Sequence, residues 1–79
     1  MRILFFAQTK DAAETSELEM KISSGVGVEE IWNKLVAEKP RLAAFRKTTR
    51  LARNGEYADA KTKFTDADEV ALIPPVSGG

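Results

Sequence analysis

The sequence contains no cysteine and no histidine, and its 79 residues include only one tryptophan and one tyrosine. Without cysteine there is no disulfide framework, no thiolate metal site and no thiol nucleophile. Without histidine the commonest neutral-pH acid/base and metal ligand is missing as well. Zinc fingers, cysteine hydrolases and Ser-His-Asp enzymes are therefore excluded. An excess of charge of one sign is also lacking, since twelve Lys plus Arg balance twelve Asp plus Glu. Nucleic acid and anionic lipid, which both need clustered cations, are not expected partners. No apolar run approaches the ~18 residues of a membrane span, and the opening MRILFFAQTKDAAE is too short in apolar residues for a signal peptide. The expectation is a small cytoplasmic domain poor in catalytic side chains.

What is present is a pattern of alternating elements. Residues 2–8, RILFFAQ, form an apolar run of strand length, with Ile3, Phe5 and Ala7 on one face and Leu4 and Phe6 on the other. Residues 17–23 alternate, Leu18, Met20 and Ile22 against Glu17, Glu19 and Lys21, as a half-buried antiparallel strand does. Together they predict a hairpin across a loop at residues 9–16. From Val28 to Lys39 the period changes: Val28, Ile31, Trp32, Leu35 and Val36 make one stripe of a 3.6-residue helix. Gly27 is a tolerable N-cap, Glu29 and Glu30 favour the first turn, and Pro40 stops propagation. Leu42 to Phe45 predict a further helical turn over the core.

Thr49 to Arg53 then read as a short strand. Asn54-Gly55 signals a type I′ turn, whose two central residues need positive φ, and Glu56 to Ala58 return. A tight turn at 65–68 leads into a last strand from Glu69 to Pro74, and Pro74-Pro75 ends any ladder. The order is strand, strand, helix, strand, short strand, strand. This predicts an α+β fold, a mixed sheet of about five strands packed on one main helix. A helical crossover cannot join antiparallel neighbours by a tight turn, so the first and last strands are expected at the centre as a parallel pair. The domain is assigned to residues 1–75 and the tail to residues 76–79.

Chemistry is hard to find among the side chains. Asp66, Asp68 and Glu69 are the one tight acidic cluster and read as a solvated turn rather than a metal loop. Arg46, Lys47, Arg50, Lys61 and Lys63 read as a solvated or partner-facing surface. Ser77 has no histidine partner, and Tyr57 has no activating neighbour. What remains is the tail, Pro74-Pro75-Val76-Ser77-Gly78-Gly79. Glycines without Cβ can thread a narrow channel. The diproline aims the tail away from the sheet, and the four residues beyond Pro75 reach roughly 13–14 Å when extended. The α-carboxylate of Gly79 is inert until another enzyme activates it, for instance as an acyl-adenylate; no side chain then shields the carbonyl from a nucleophile.

In RILFFAQ at 2–8, VEEIWNKL at 28–35, Asn54-Gly55 and above all DADEVALIPPVSGG at 66–79, the chain resembles the sulfur-carrying small subunits of molybdopterin synthase, within the ubiquitin-like β-grasp sulfur carriers. The resemblance implies a non-catalytic subunit of a heterotetrameric synthase. It implies that an E1-like adenylyltransferase uses ATP to activate Gly79, which becomes a thiocarboxylate. The tail then enters the large catalytic subunit and gives its sulfur to cyclic pyranopterin monophosphate. Gly79 would carry the sulfur, Gly78 would allow passage, and Ser77, Val76, Pro75 and Pro74 would set reach and direction. The chain itself would bind no cofactor or metal tightly. Two positions depart from the family pattern. Ala67 stands where the turn commonly has Gly, which predicts an altered positive-φ turn, and Arg53 stands where an apolar residue precedes Asn54.

With Ile3, Phe5, Val70 and Leu72 taken by the helix side, Phe6 and Ile73, with Tyr57, are expected to share the outer sheet face as a partner interface. Competing readings are a thiamine-pathway sulfur carrier, a ubiquitin-like protein modifier and a plain β-grasp interaction domain.

Overall fold

A computed structural model describes residues 1–74 of the chain. The tail expectations at Pro75, Val76, Ser77, Gly78 and Gly79 lie outside the described residues. The elements run β1 (Arg2–Leu4), α1 (Ala7–Ala13), β2 (Glu17–Glu19), α2 (Val28–Glu38), a 3₁₀ segment (Pro40–Phe45), β3 (Arg50–Arg53), β4 (Glu56–Tyr57) and β5 (Glu69–Ile73). They form one five-stranded sheet in the order β2-β1-β5-β3-β4. β1 and β5 are parallel, with Ile3 opposite Val70, and β5 pairs antiparallel with β3 on its other side. The parallel central pair is therefore where the pattern placed it.

Alternation decides which face is buried. Ile3, Val70 and Leu72 are fully buried and Leu51 nearly so, while their strand neighbours Arg2, Glu69 and Arg50 are exposed. α2 lies against the buried face because Ile31, Trp32 and Leu35 fall on one stripe and are buried, with Val28 and Val36 partly buried beside them. The helix begins where expected. Gly27 is extended, and its N–H donates to the Glu30 carboxylate at 3.3 Å. At the other end the Lys39 amide closes on the Leu35 carbonyl, and Pro40 opens the 3₁₀ segment that buries Leu42 completely. The Asn54-Gly55 turn has both positive φ values, 49° and 89°, as a type I′ turn requires.

Three local expectations are corrected. β1 stops at Leu4 rather than Gln8, and residues 7–13 are the helix α1 rather than strand and loop. The cause is local. Ala7 takes φ 50° and turns the chain, Thr9 hydrogen-bonds both the N–H and the carbonyl of Phe6, and the alanine-rich run that follows buries Ala12 and Ala13 in the core. Alanine has the highest helix propensity, and that outweighs the strand appearance of the two phenylalanines. β2 likewise ends at Glu19, although Leu18, Met20 and Ile22 all still face the core. Ala67 is not among the positive-φ residues. Its turn closes by Asp68 N–H to the Thr65 carbonyl at 3.1 Å and Thr65 N–H to the Asp68 carboxylate at 2.8 Å. Glycine is not needed there.

Arg53 has the parity of buried Leu51, but it sits at the strand end. Its guanidinium leaves the core to donate to the Lys63 carbonyl at 2.6 Å. Core residues that the pattern did not single out include Phe64, fully buried and bridged to Val26.

A fully buried helix residue bears more of the stability than its exposed neighbours. Leu35→Ala should cost about 2–5 kcal/mol, whereas Lys34→Ala on the exposed side should stay within about 0.5 kcal/mol, both read from urea unfolding midpoints.

Candidate functional site

The face of the sheet away from α2 divides into two halves. At one end Arg2 lies between two carboxylates, Nε to Glu17 at 3.0 Å and Nη1 to Glu69 at 3.2 Å, all three groups about half exposed. The hydrogen bond and charge of Glu17, and then the charge of Glu69, hold the Arg2 guanidinium above its ordinary pKa. Exposed pairs of this kind contribute little stability, and with two carboxylates to one guanidinium they leave this half net negative.

The other half is apolar. Phe6, Ala52, Gly55, Tyr57, Ala71 and Ile73, with Glu69 at one side, line a concavity of about 340 Å³. Strand alternation supplies most of it: Ala52 is opposite both Ala71 and Tyr57, and the two alanines leave room that larger residues would fill. Phe6 reaches the site by another route. It precedes α1 rather than lying in a strand, and the two Thr9 hydrogen bonds, 3.2 Å to its N–H and 2.7 Å to its carbonyl, fix its backbone. Thr9 itself is 1% exposed. Among the described residues, Phe6 and Tyr57 are the two large hydrophobic residues left exposed, at 46% and 56%.

The structure thus brings together Phe6, Tyr57 and Ile73, the three residues expected on this face. Pro74, half-buried, follows directly from Ile73. Sequence reasoning did not name Ala52 and Ala71, although their parity with Ile73 was the signal for them. It also treated Arg50 as one of several scattered cations. The Arg50 guanidinium stacks over the Tyr57 ring at 4.1 Å from the centroid. Among the described residues the lining of this concavity is mostly apolar, with Tyr57 and Glu69 as the side chains that carry polar groups.

The acidic turn has a different role. The Asp66 carboxylate accepts from the Ile22 amide at 3.0 Å and from the Met1 ammonium at 3.2 Å, and these contacts hold it below the usual carboxylate range. Asp68 is lowered by the Thr65 amide and by Asn54, whose side-chain amide donates to it at 2.9 Å. The Asn54 carbonyl in turn accepts from the Glu69 N–H at 2.9 Å, tying the β3–β4 turn to the start of β5. Every carboxylate of the cluster is engaged with the protein's own donors or with Arg2. Among the described residues no group of three or more acids is arranged to hold a metal ion, and no helix is long and apolar enough to cross a membrane.

A five-stranded mixed sheet with a central parallel pair, one covering helix and a last strand that runs into the tail defines the ubiquitin-like β-grasp class. The chain belongs to the ThiS family, whose model matches residues 3–79. It is 35% identical over 81 residues to the molybdopterin synthase sulfur carrier subunit of Chlamydomonas reinhardtii, covering 100% of this chain and 98% of that protein. Among solved structures it is similar to SAMP1, a small archaeal modifier protein from Haloferax volcanii. That match has a TM-score of 0.85 and 28% identity over 100% of this chain and 98% of the other. It also shares the fold of a chain in the complex of subunits 1 and 2 of molybdopterin-converting factor from Helicobacter pylori. There the TM-score is 0.69 and the identity 24% over 99% and 96% of the two chains.

The lowered carboxyls make stability depend on acid. A carboxyl whose folded pKa lies below its ordinary 3.8 contributes fully above that value and loses its contribution as pH falls through the lower folded one. Urea midpoints of the protein should therefore be level above about pH 5 and fall below about pH 4. Asp68→Asn should start from a lower midpoint and lose less on acidification.

Proposed function

We propose that this chain is a sulfur carrier for molybdopterin synthesis. The observation that carries the reading is the full-length match to a protein named as a molybdopterin synthase sulfur carrier subunit, within a family match that runs through Gly79. The described geometry supports it. The chain offers an apolar concave face and a central strand whose last residue, Ile73, lines that face before Pro74 begins the tail. A partner seated on the concavity lies next to the point where residues 75–79 start.

The chemistry then belongs to the main chain. The Gly79 carboxylate attacks the α-phosphate of ATP on an E1-like adenylyltransferase, releasing pyrophosphate and forming an acyl-adenylate. Hydrosulfide delivered by a sulfur donor attacks the acyl carbonyl and displaces AMP, leaving a thiocarboxylate and a proton. In the large subunit of the synthase the thiocarboxylate sulfur displaces an oxygen substituent from a carbon of cyclic pyranopterin monophosphate. Water hydrolyses the resulting thioester, which regenerates the Gly79 carboxylate and leaves the sulfur on the pterin. Gly78 presents no Cβ to the channel wall, and Ser77, Val76, Pro75 and Pro74 set the reach. Phe6, Tyr57 and Ile73 dock the large subunit. The carrier works in the cytoplasm as part of a heterotetramer of two small and two large subunits.

The likeness to a small archaeal modifier protein favours a second reading, in which Gly79 is joined to lysines of target proteins. Intact mass spectrometry of the protein from its own cells separates the two. A species with one oxygen replaced by sulfur, lost on deletion of Gly79 together with molybdoenzyme activity, is the expected result. A ladder of larger conjugates with no sulfur-bearing species would instead support the modifier. Undiminished molybdoenzyme activity in the deletion strain would refute the carrier reading.

A further inference from the structure

One group on the outer face is left unused by the apolar docking surface. The chain has five arginines, and among the described residues four of them end on an oxygen. Arg2 meets Glu17 and Glu69, Arg41 meets Glu14 at 3.6 Å, Arg46 meets Glu29 at 2.6 Å, and Arg53 meets the Lys63 carbonyl. Arg50 is the exception. It is exposed, opposite Ile73 in the sheet, and its one recorded partner among the described residues is the Tyr57 ring beneath it.

The geometry of that stack is informative. A guanidinium carries its five N–H donors around the edge of a plane. The Tyr57 ring covers a face of that plane, so the stack orients the group while leaving its edge available. Tyr57 also lines the apolar concavity. A partner that covers the concavity and its Tyr57 wall comes against the guanidinium stacked on that ring and displaces water from it. Leaving a desolvated charge without an acceptor is strongly unfavourable, so a stable complex must supply one. The acceptor that matches a planar fork of donors is a carboxylate held bidentately.

We propose that Arg50, preset by Tyr57, is the specificity-determining cation of the outer face, and that the protein partner docking there presents an Asp or Glu carboxylate to it. The partner is accordingly apolar at its centre with an acidic residue at the edge facing β3. The inference rests on the sulfur-carrier reading only in the choice of probe.

The test is calorimetric titration of the full chain with the purified large subunit of molybdopterin synthase from the same organism, at low and high salt. Arg50→Ala should weaken binding about tenfold and Arg50→Glu about a hundredfold or more, with Arg50→Lys between wild type and Ala. The salt dependence of affinity should be shallower for Arg50→Ala than for wild type. Urea midpoints of the variants should match wild type, since the side chain is exposed and away from the core. Arg50→Glu binding within about twofold of wild type would overturn the assignment, as would equal losses for Arg50→Lys and Arg50→Ala with unaltered salt dependence. Phe6→Asp and Ile73→Asp, which should abolish capture with the fold intact, separate the possible failures. If they bind normally, the outer face is not the docking surface and the Arg50 assignment falls with it. If they abolish capture while Arg50→Glu does not, only the Arg50 assignment falls, and the Gly79 mass measurement still decides the carrier reading.

Discussion

The parallel pairing of β1 with β5 is the constraint on which the rest of the molecule depends. It joins residues 2–4 to residues 69–71, nearly the whole chain apart, and puts Ile3 beside Val70 in the centre of the sheet. Parallel neighbours require a long crossover, and α2 with the 3₁₀ segment is that crossover, covering the face it crosses. β5 is central and paired on both sides, with Leu4 of β1 opposite Ala71 and, at its last residue, Arg50 of β3 opposite Ile73.

The sheet divides two tasks between its faces by simple alternation. Val70 and Leu72 bind the helix, while Glu69, Ala71 and Ile73 face away. The inner face builds stability, and the outer face holds an ion-paired end and an apolar end. The apolar end is small, and its two alanines make it concave. Such a surface offers shape and apolar contact, the properties of a binding face. The carrier we propose keeps its reactive atoms in its last residue and has no side-chain thiol to form stray disulfides.

Legibility in the sequence followed the strength of the pattern. α2 was readable because five apolar residues shared one stripe between a glycine cap and a proline stop. The Asn54-Gly55 turn was readable because few residue pairs tolerate two positive φ values. The central parallel pair followed from topology alone, and parity placed Ile73 on the outer face, whereas Phe6 reaches that face from beyond the strand whose parity was read. α1 was not legible. Its signal, an alanine-rich run after a threonine-capped turn, was masked by the two phenylalanines before it, and the positive φ of Ala7 has no sequence marker. Phe64 lies in an isolated bridge with Val26 and belongs to no periodic element, so periodicity could not mark it as core. The stacking of Arg50 on Tyr57 depends on which outward residues meet across β3 and β4, and that required coordinates.

The most direct test of a carrier that docks by its outer sheet face is a map of amide and methyl chemical-shift changes when the labelled chain binds the large subunit of molybdopterin synthase. Changes concentrated at Phe6, Arg50, Ala52, Tyr57, Ala71 and Ile73, with the solvent side of α2 at Glu29, Asn33 and Ala37 unaffected, are the predicted result. Changes centred on that side of α2, with the outer face unmoved, would contradict it.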